Sequence, residues 1–216
     1  MILTLAAMTA LWPHASPALR QGIAASSVRA LSKYGVVTLT NLQEFIATSS
    51  EETGGAITLV ESGAYTPARA HQVWPSQFPT VASAAVYIDG RDGGEALFNH
   101  VYGTGTLARG LGNIRPGDGW AFRGRGLIQL TGRAWFTKIG AATNLDLIGN
   151  PDLMSSPEHA LECASAYWQI DGVNVLASAG NFLAVTRRVN GAFTNLAQRE
   201  AWLSTCQRIL TAEATQ

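Results

Sequence analysis

The sequence predicts an α+β fold, mainly α-helical, in a single catalytic-sized domain spanning residues 1–216 with a central cleft. Three observations carry that expectation. Apolar residues recur at helical spacing up to Thr53 and again after Thr131. The stretch between them, about 56–126, is rich in Gly, Pro and aromatic residues with weak periodicity, which reads as short strands, turns and irregular loops. No repeat or low-complexity linker divides the chain.

The elements follow in order. Leu3, Leu5, Ala6, Met8 and Leu11 suit the buried side of a first helix. Ser16-Pro17 opens a second, with Leu19, Ile23, Val28 and Leu31 inward and Tyr34-Gly35 at its end. Thr40, with Gln43 three residues on, reads as the capping box of a third helix. That helix turns Leu42, Phe45, Ile46 and Ser49 inward and stops at Thr53-Gly54-Gly55. After the insert, Ser156-Pro157-Glu158 reads as an N-cap, a Pro at the first helical position and an acid in the first turn. The helix it opens runs to Asp171-Gly172. Two further helices are expected over Asn181 to Val189 and Asn195 to Ala212, divided by Asn190-Gly191.

With 47% hydrophobic and 14% charged residues, a packed core is expected and extensive disorder is not. Lys plus Arg and Asp plus Glu both number 15, so the long-range attraction of a nucleic-acid or anionic-membrane binder is absent. A local basic groove is still possible, since Arg109 to Arg133 holds five Arg and one acid, Asp118. Cys163 and Cys206 fall in apolar helical patterns and read as buried thiols, with one helix-to-helix disulfide as the alternative. No run approaches a transmembrane span. His14, His71, His100 and His159 are scattered without a HExxH or Cys/His cluster, and no Gly-x-Ser-x-Gly elbow is present. Neither a metal nor any other cofactor is therefore expected.

Acid–base hydrolysis of a glycosidic bond needs two carboxyl groups, one protonated and one ionised. Acids are few here. Glu52 lies at the C-terminal end of its helix, where unpaired carbonyls make a negative field that suits a proton donor. An exposed terminal carboxylate is the bland alternative. Glu61 follows nine residues later, past Gly54-Gly55, where the chain is free to reverse and bring the two acids face to face. Glu51 points about 100° away from Glu52 around the helix and makes a poor partner for it. The Gly-rich run Gly119 to Arg133 offers close backbone approach, and its Arg, Gln and Thr side chains suit sugar hydroxyls and N-acetyl groups. The plainer reading is a loop feeding a helix capped by Thr131.

The segment Phe122-Arg-Gly-Arg-Gly-Leu-Ile-Gln-Leu-Thr-Gly-Arg133 resembles the signature of family 19 glycoside hydrolases, which include chitinases and many phage endolysins. Phe45-Ile-Ala-Thr-Ser-Ser-Glu-Glu-Thr-Gly-Gly55 is similar to the family segment that carries the catalytic acid. Asn113 to Trp120, and Thr186 to Gly191 followed by Arg199, also look like family segments. The likeness runs from about Leu3 to Arg208. It implies a lysozyme-like fold and an inverting mechanism. Glu52 would protonate the leaving oxygen, Glu61 would activate a water, and Thr131 would help hold that water. The carry-over also implies Gln129, Arg125, Tyr102 and Asn190 as substrate contacts, with Tyr65 and Trp135 at the cleft. The short interval between the acids is similar to the endolysin branch.

Two departures stand out. Glu51 occupies the place of a usual His, and Trp135-Phe136 that of Asn-Tyr. The implied substrate is the β-1,4-linked polysaccharide of peptidoglycan, with chitin as the alternative and an inactive sugar-binding homologue as a second. A monomer is expected, with no nucleic-acid partner and no membrane span. The apolar start lacks a basic n-region, its first basic residue being Arg20, and Trp12-Pro13-His14 replaces a small-residue cleavage site. The expectation is a protein made in the cytoplasm that reaches the cell wall after release, with secretion as the alternative.

Overall fold

The computed structural model describes residues 1–88 and 92–212. Helices α1 (Leu5–Leu11), α2 (Pro17–Lys33) and α3 (Leu39–Thr53) build the first third. Ser16 caps α2 by accepting from the Leu19 N–H, and Pro17 fills the first turn, where no N–H is missed. The cap of α3 differs from the capping-box expectation. Thr38, not Thr40, accepts from the Asn41 N–H, and α3 begins at Leu39. It ends at Gly54 in the left-handed conformation that an L side chain resists. Val28 also departs from expectation: it is 58% exposed, while the neighbouring Ser27 is buried.

Residues 41–50 of α3 are buried on every face, so this helix is the axis of the molecule. Its polar groups are met from several directions. Asn41 donates to Asn174 and accepts from the Trp168 indole. Ser50 accepts from the Trp12 indole, and Gln43 donates to the Leu210 carbonyl. Around α3 pack α11 (Val173–Ser178), α12 (Phe182–Asn190) and α13 (Leu196–Ile209), while α10 (Ala160–Ile170) lies on α2 and on α9 (Arg133–Thr143). Cys163 and Cys206 are buried free thiols, as the first reading of them anticipated.

The middle of the chain corrects the strand expectation. Among the described residues only isolated antiparallel bridges occur, Val60 with Arg125 and Arg125 with Leu130. The segment instead forms short helices: α4 (Pro67–Val73), α5 (Val81–Ala85), α6 (Glu95–Val101), α7 (Gly105–Leu111) and α8 (Asp118–Ala121). Helices of one or two turns are too short to display a 3.6-residue period, and the glycines between them hide what signal remains. Residues 89–91 of the insert lie outside the described residues. This lobe has its own small core, Ala70, Phe78, Ala84, Leu97 and Val101, flanked by Tyr65, Trp74 and Tyr102. Among the described residues the architecture is therefore mostly helical, with almost no strand. Further on, Pro157 sits in a turn before α10, which starts at Ala160 with His159 at its cap. Helix α11 had no counterpart in the sequence reading.

Candidate active site

Glu52 sits in the last turn of α3, with its side chain 19% exposed. Arg199 of α13 donates from Nη2 to its Oε1 at 2.8 Å, an ion pair across 147 residues of sequence. The guanidinium is itself anchored, since its Nε donates to the Thr194 carbonyl. Glu51 turns elsewhere and accepts from the Asn195 amide at 3.1 Å. Arg199 therefore fixes one oxygen of Glu52 and leaves Oε2 for another partner.

Glu61 is held by a different set. The Gly124 N–H donates to Oε2 at 3.0 Å and the Tyr102 hydroxyl to Oε1 at 2.9 Å. The backbone pairs as well, the Glu61 N–H donating to the Gly124 carbonyl at 2.8 Å. Burial pushes the Glu61 carboxyl above the ordinary carboxylate range. The bonds from Gly124 and Tyr102, the Arg123 charge and the Tyr65 hydroxyl pull it back only in part. The Arg123 guanidinium carbon lies over Trp120, 3.5 Å from the ring centre.

The Gly-rich loop packs against Glu61 and the segment just after α3. Gln129 has φ near 52°, a left-handed conformation unusual for a residue with a β-carbon. Its amide donates to the Gly126 and Thr58 carbonyls, tying the loop to the segment just after α3. Its Oε1 and Glu61 Oε2 both lie against Gly124, where a β-carbon would stand 3.1 and 3.2 Å from them. Any side chain at Gly124 would push on the Glu61 carboxyl. Thr131 does not cap the next helix; Gly132, with φ near 98°, takes that position. The Thr131 hydroxyl instead donates weakly to the Gln129 carbonyl at 3.4 Å.

Gln129, Thr131, Trp135 and Tyr167 line one cavity of about 330 Å³, a size suited to small ligands. The Trp135 ring meets Tyr167 edge-on at 4.9 Å. Burial raises the Tyr167 phenol, and the Asp171 and Glu52 carboxylates raise it further. A second hollow of about 320 Å³ opens beside Tyr65 on the Glu61 side.

Of the residues expected to touch substrate, three make bonds within the protein. Arg125 is 4% exposed and directed inward, bonded to Asp152 and to the Ala121 carbonyl, so it holds the loop. Tyr102 spends its hydroxyl on Glu61. Asn190 ends α12 with its amide on the Ala192 carbonyl. Tyr65 packs on Trp74 and Phe98 with its hydroxyl towards Glu61. The sequence pointed to no site role for Arg199 or Tyr167, and to Arg123 only as one of the loop arginines suited to sugar hydroxyls. Arg199 falls in a recognised segment, but nothing local pairs it with Glu52.

No family model matches the chain. A curated Haemophilus influenzae protein described as a glycosyl hydrolase family 19 domain-containing protein is 29% identical over 189 residues, 88% of each chain. Among solved structures, chitinase C from Streptomyces griseus matches with a TM-score of 0.63 and 22% identity, covering 96% of this chain and 76% of that one. In sequence the chain is similar to a family 19 domain-containing protein, and its fold is shared with a family 19 chitinase. A bacterial family 19 chitinase matches with a TM-score of 0.61 and 18% identity, covering 100% of this chain and 98% of the other. The likeness therefore spans the α4–α8 lobe as well as the helices around α3.

Proposed function

We propose that this chain is a glycosidase that cleaves β-1,4 bonds of peptidoglycan by an inverting acid/base mechanism. The observation that carries this reading is a pair of acids, each oriented by its own independent set of partners. Glu52 is fixed by Arg199, and Glu61 by Gly124 and Tyr102. In this reading Glu52 Oε2 delivers a proton to the departing glycosidic oxygen. Glu61, ionised and made more basic by its burial, takes a proton from water, which attacks the anomeric carbon from the opposite face. The Thr131 hydroxyl, at the cavity wall, orients that water. Bond making and breaking balance: water supplies hydroxyl to one sugar and, through the two acids, a proton to the other.

Purified peptidoglycan digested by wild type should yield new reducing ends. Glu52→Gln and Glu61→Gln should each lower that rate by about 10²–10⁴-fold, the usual contribution of general acid–base groups. Undiminished rates in both variants would sink the assignment. Mass spectrometry of the reducing-end sugar then separates muramidase from glucosaminidase cleavage, and parallel digestion of chitin oligomers tests the chitinase alternative.

One observation favours a second reading, with the roles exchanged. Burial raises the Glu61 carboxyl, while Glu52 is the acid with a cationic partner. An aryl glycoside with a good leaving group needs no proton donor. The variant that keeps its rate on such a substrate identifies the acid.

A further inference from the structure

The cavity lined by Gln129, Thr131, Trp135 and Tyr167 carries one charged residue in its wall, Lys138 of α9. Its ammonium rests 4.8 Å from the centre of the Trp135 ring, within cation–π range. Among the described residues no carboxylate pairs with it, whereas five of the six ion pairs found there engage an Arg and the sixth a different Lys, Lys33. Trp135 and Lys138 stand one helical turn apart on α9, so the indole holds the cation at the cavity edge. A neutral β-1,4-N-acetylglucosamine polymer has no use for this charge. Peptidoglycan differs from that polymer in one respect that matters here: every second sugar carries a lactyl ether, whose carboxylate is either free or amide-linked to a peptide that brings carboxylates of its own.

We propose that Trp135 and Lys138 form a specificity subsite in which the indole packs on a sugar ring and the ammonium pairs with the carboxylate of the lactyl or peptide substituent. The subsite rests on the polysaccharide reading above and deepens it, because it makes the charged polymer the preferred one. The ammonium is exposed, so a modest effect is expected, about two- to five-fold. It is also expected to fade at high salt, where screening shortens the reach of exposed charges.

The test measures binding in a Glu52→Gln background, so that nothing is hydrolysed during titration. Three tetrasaccharides are compared: neutral N-acetylglucosamine, alternating N-acetylglucosamine–N-acetylmuramic acid with free lactyl carboxylates, and the same with its peptides attached. Tighter binding of the charged saccharides, lost on adding Lys138→Met and lost in high salt, is the expected result, with neutral binding unchanged. A gain with the second saccharide assigns the lactyl carboxylate, and a gain with the third alone assigns the peptide. Equal affinity for all three, or a preference that survives Lys138→Met, overturns the subsite. Wild-type protein that cleaves no polysaccharide would instead defeat the glycosidase reading, and the binding comparison would still decide the subsite.

Discussion

At the scale of single residues, the two acids differ in how their surroundings were assembled, and that difference is open to test. The Tyr102 hydroxyl supplies one of the bonds that favour ionised Glu61 against the cost of burial. Removing it leaves the burial in place, so the Glu61 carboxyl must rise further. If Glu61 acts as the base, it works only when ionised, and activity falls as pH drops through its pKa. Tyr102→Phe should therefore move the acidic limb of the kcat/KM profile upward by about one pH unit, a typical worth for a hydrogen bond to a charged group. The plateau at higher pH should fall less than about ten-fold. A limb that stays in place, or moves downward, would show that Tyr102 serves the substrate directly, as the family likeness first implied. Arg125 belongs to the same lesson. A motif locates a residue without saying which way it faces, and this guanidinium is directed to Asp152 and the Ala121 carbonyl.

Among the elements, packing distances decide what is tolerated. Gly22, in the middle of α2, lies against the turn before α10, where a β-carbon would come within 2.1 Å of the Pro157 carbonyl oxygen. Backbone cannot yield there as a flexible side chain would. Gly22→Ala should lower stability by about 1–3 kcal/mol, the usual cost of overpacking, as read by urea denaturation. KM should be unchanged, because neither α2 nor Pro157 lines the cavity beside Trp135. The same elements show what was legible beforehand. Ser16-Pro17 and Gly54 marked the limits of α2 and α3 because caps are local chemistry. Glu52 was singled out by its place at a helix end and the motif around it, and Glu61 by its spacing past Gly54-Gly55 and the family likeness. The helices of the α4–α8 lobe were not, since one or two turns carry no period. Neither was the Arg199–Glu52 pair, which exists only after α13 docks on α3.

For the molecule as a whole, the joint between α3 and α13 matters most, because it fastens the end of the chain to its buried axis. A carboxyl lies inside that joint. Glu44 is 2% exposed, and its Oε2 has no hydrogen-bond partner among the described residues. Burial pushes it from 4.5 up to about 7. Of the titratable groups on α13, Cys206 feels it directly: burial, then the Glu44 charge, raises that thiol to about 12. The thiol therefore stays neutral near pH 7, while Glu44 does not. Because the folded-state value of Glu44 lies above the unfolded one, the folded protein binds the extra proton. Its contribution to stability is complete below about pH 4.5 and is lost as pH rises through about 7. The full swing is on the order of 3 kcal/mol. Urea midpoints should fall across that window in wild type and stay flatter in Glu44→Gln, which keeps the shape and cannot ionise. At pH above 7 the variant should be the more stable protein. Activity measured at that pH should hold to a higher temperature in the variant, since the pair that orients Glu52 depends on α13 remaining docked. Parallel slopes for the two proteins would mean that Glu44 reaches water and exerts no control over the joint.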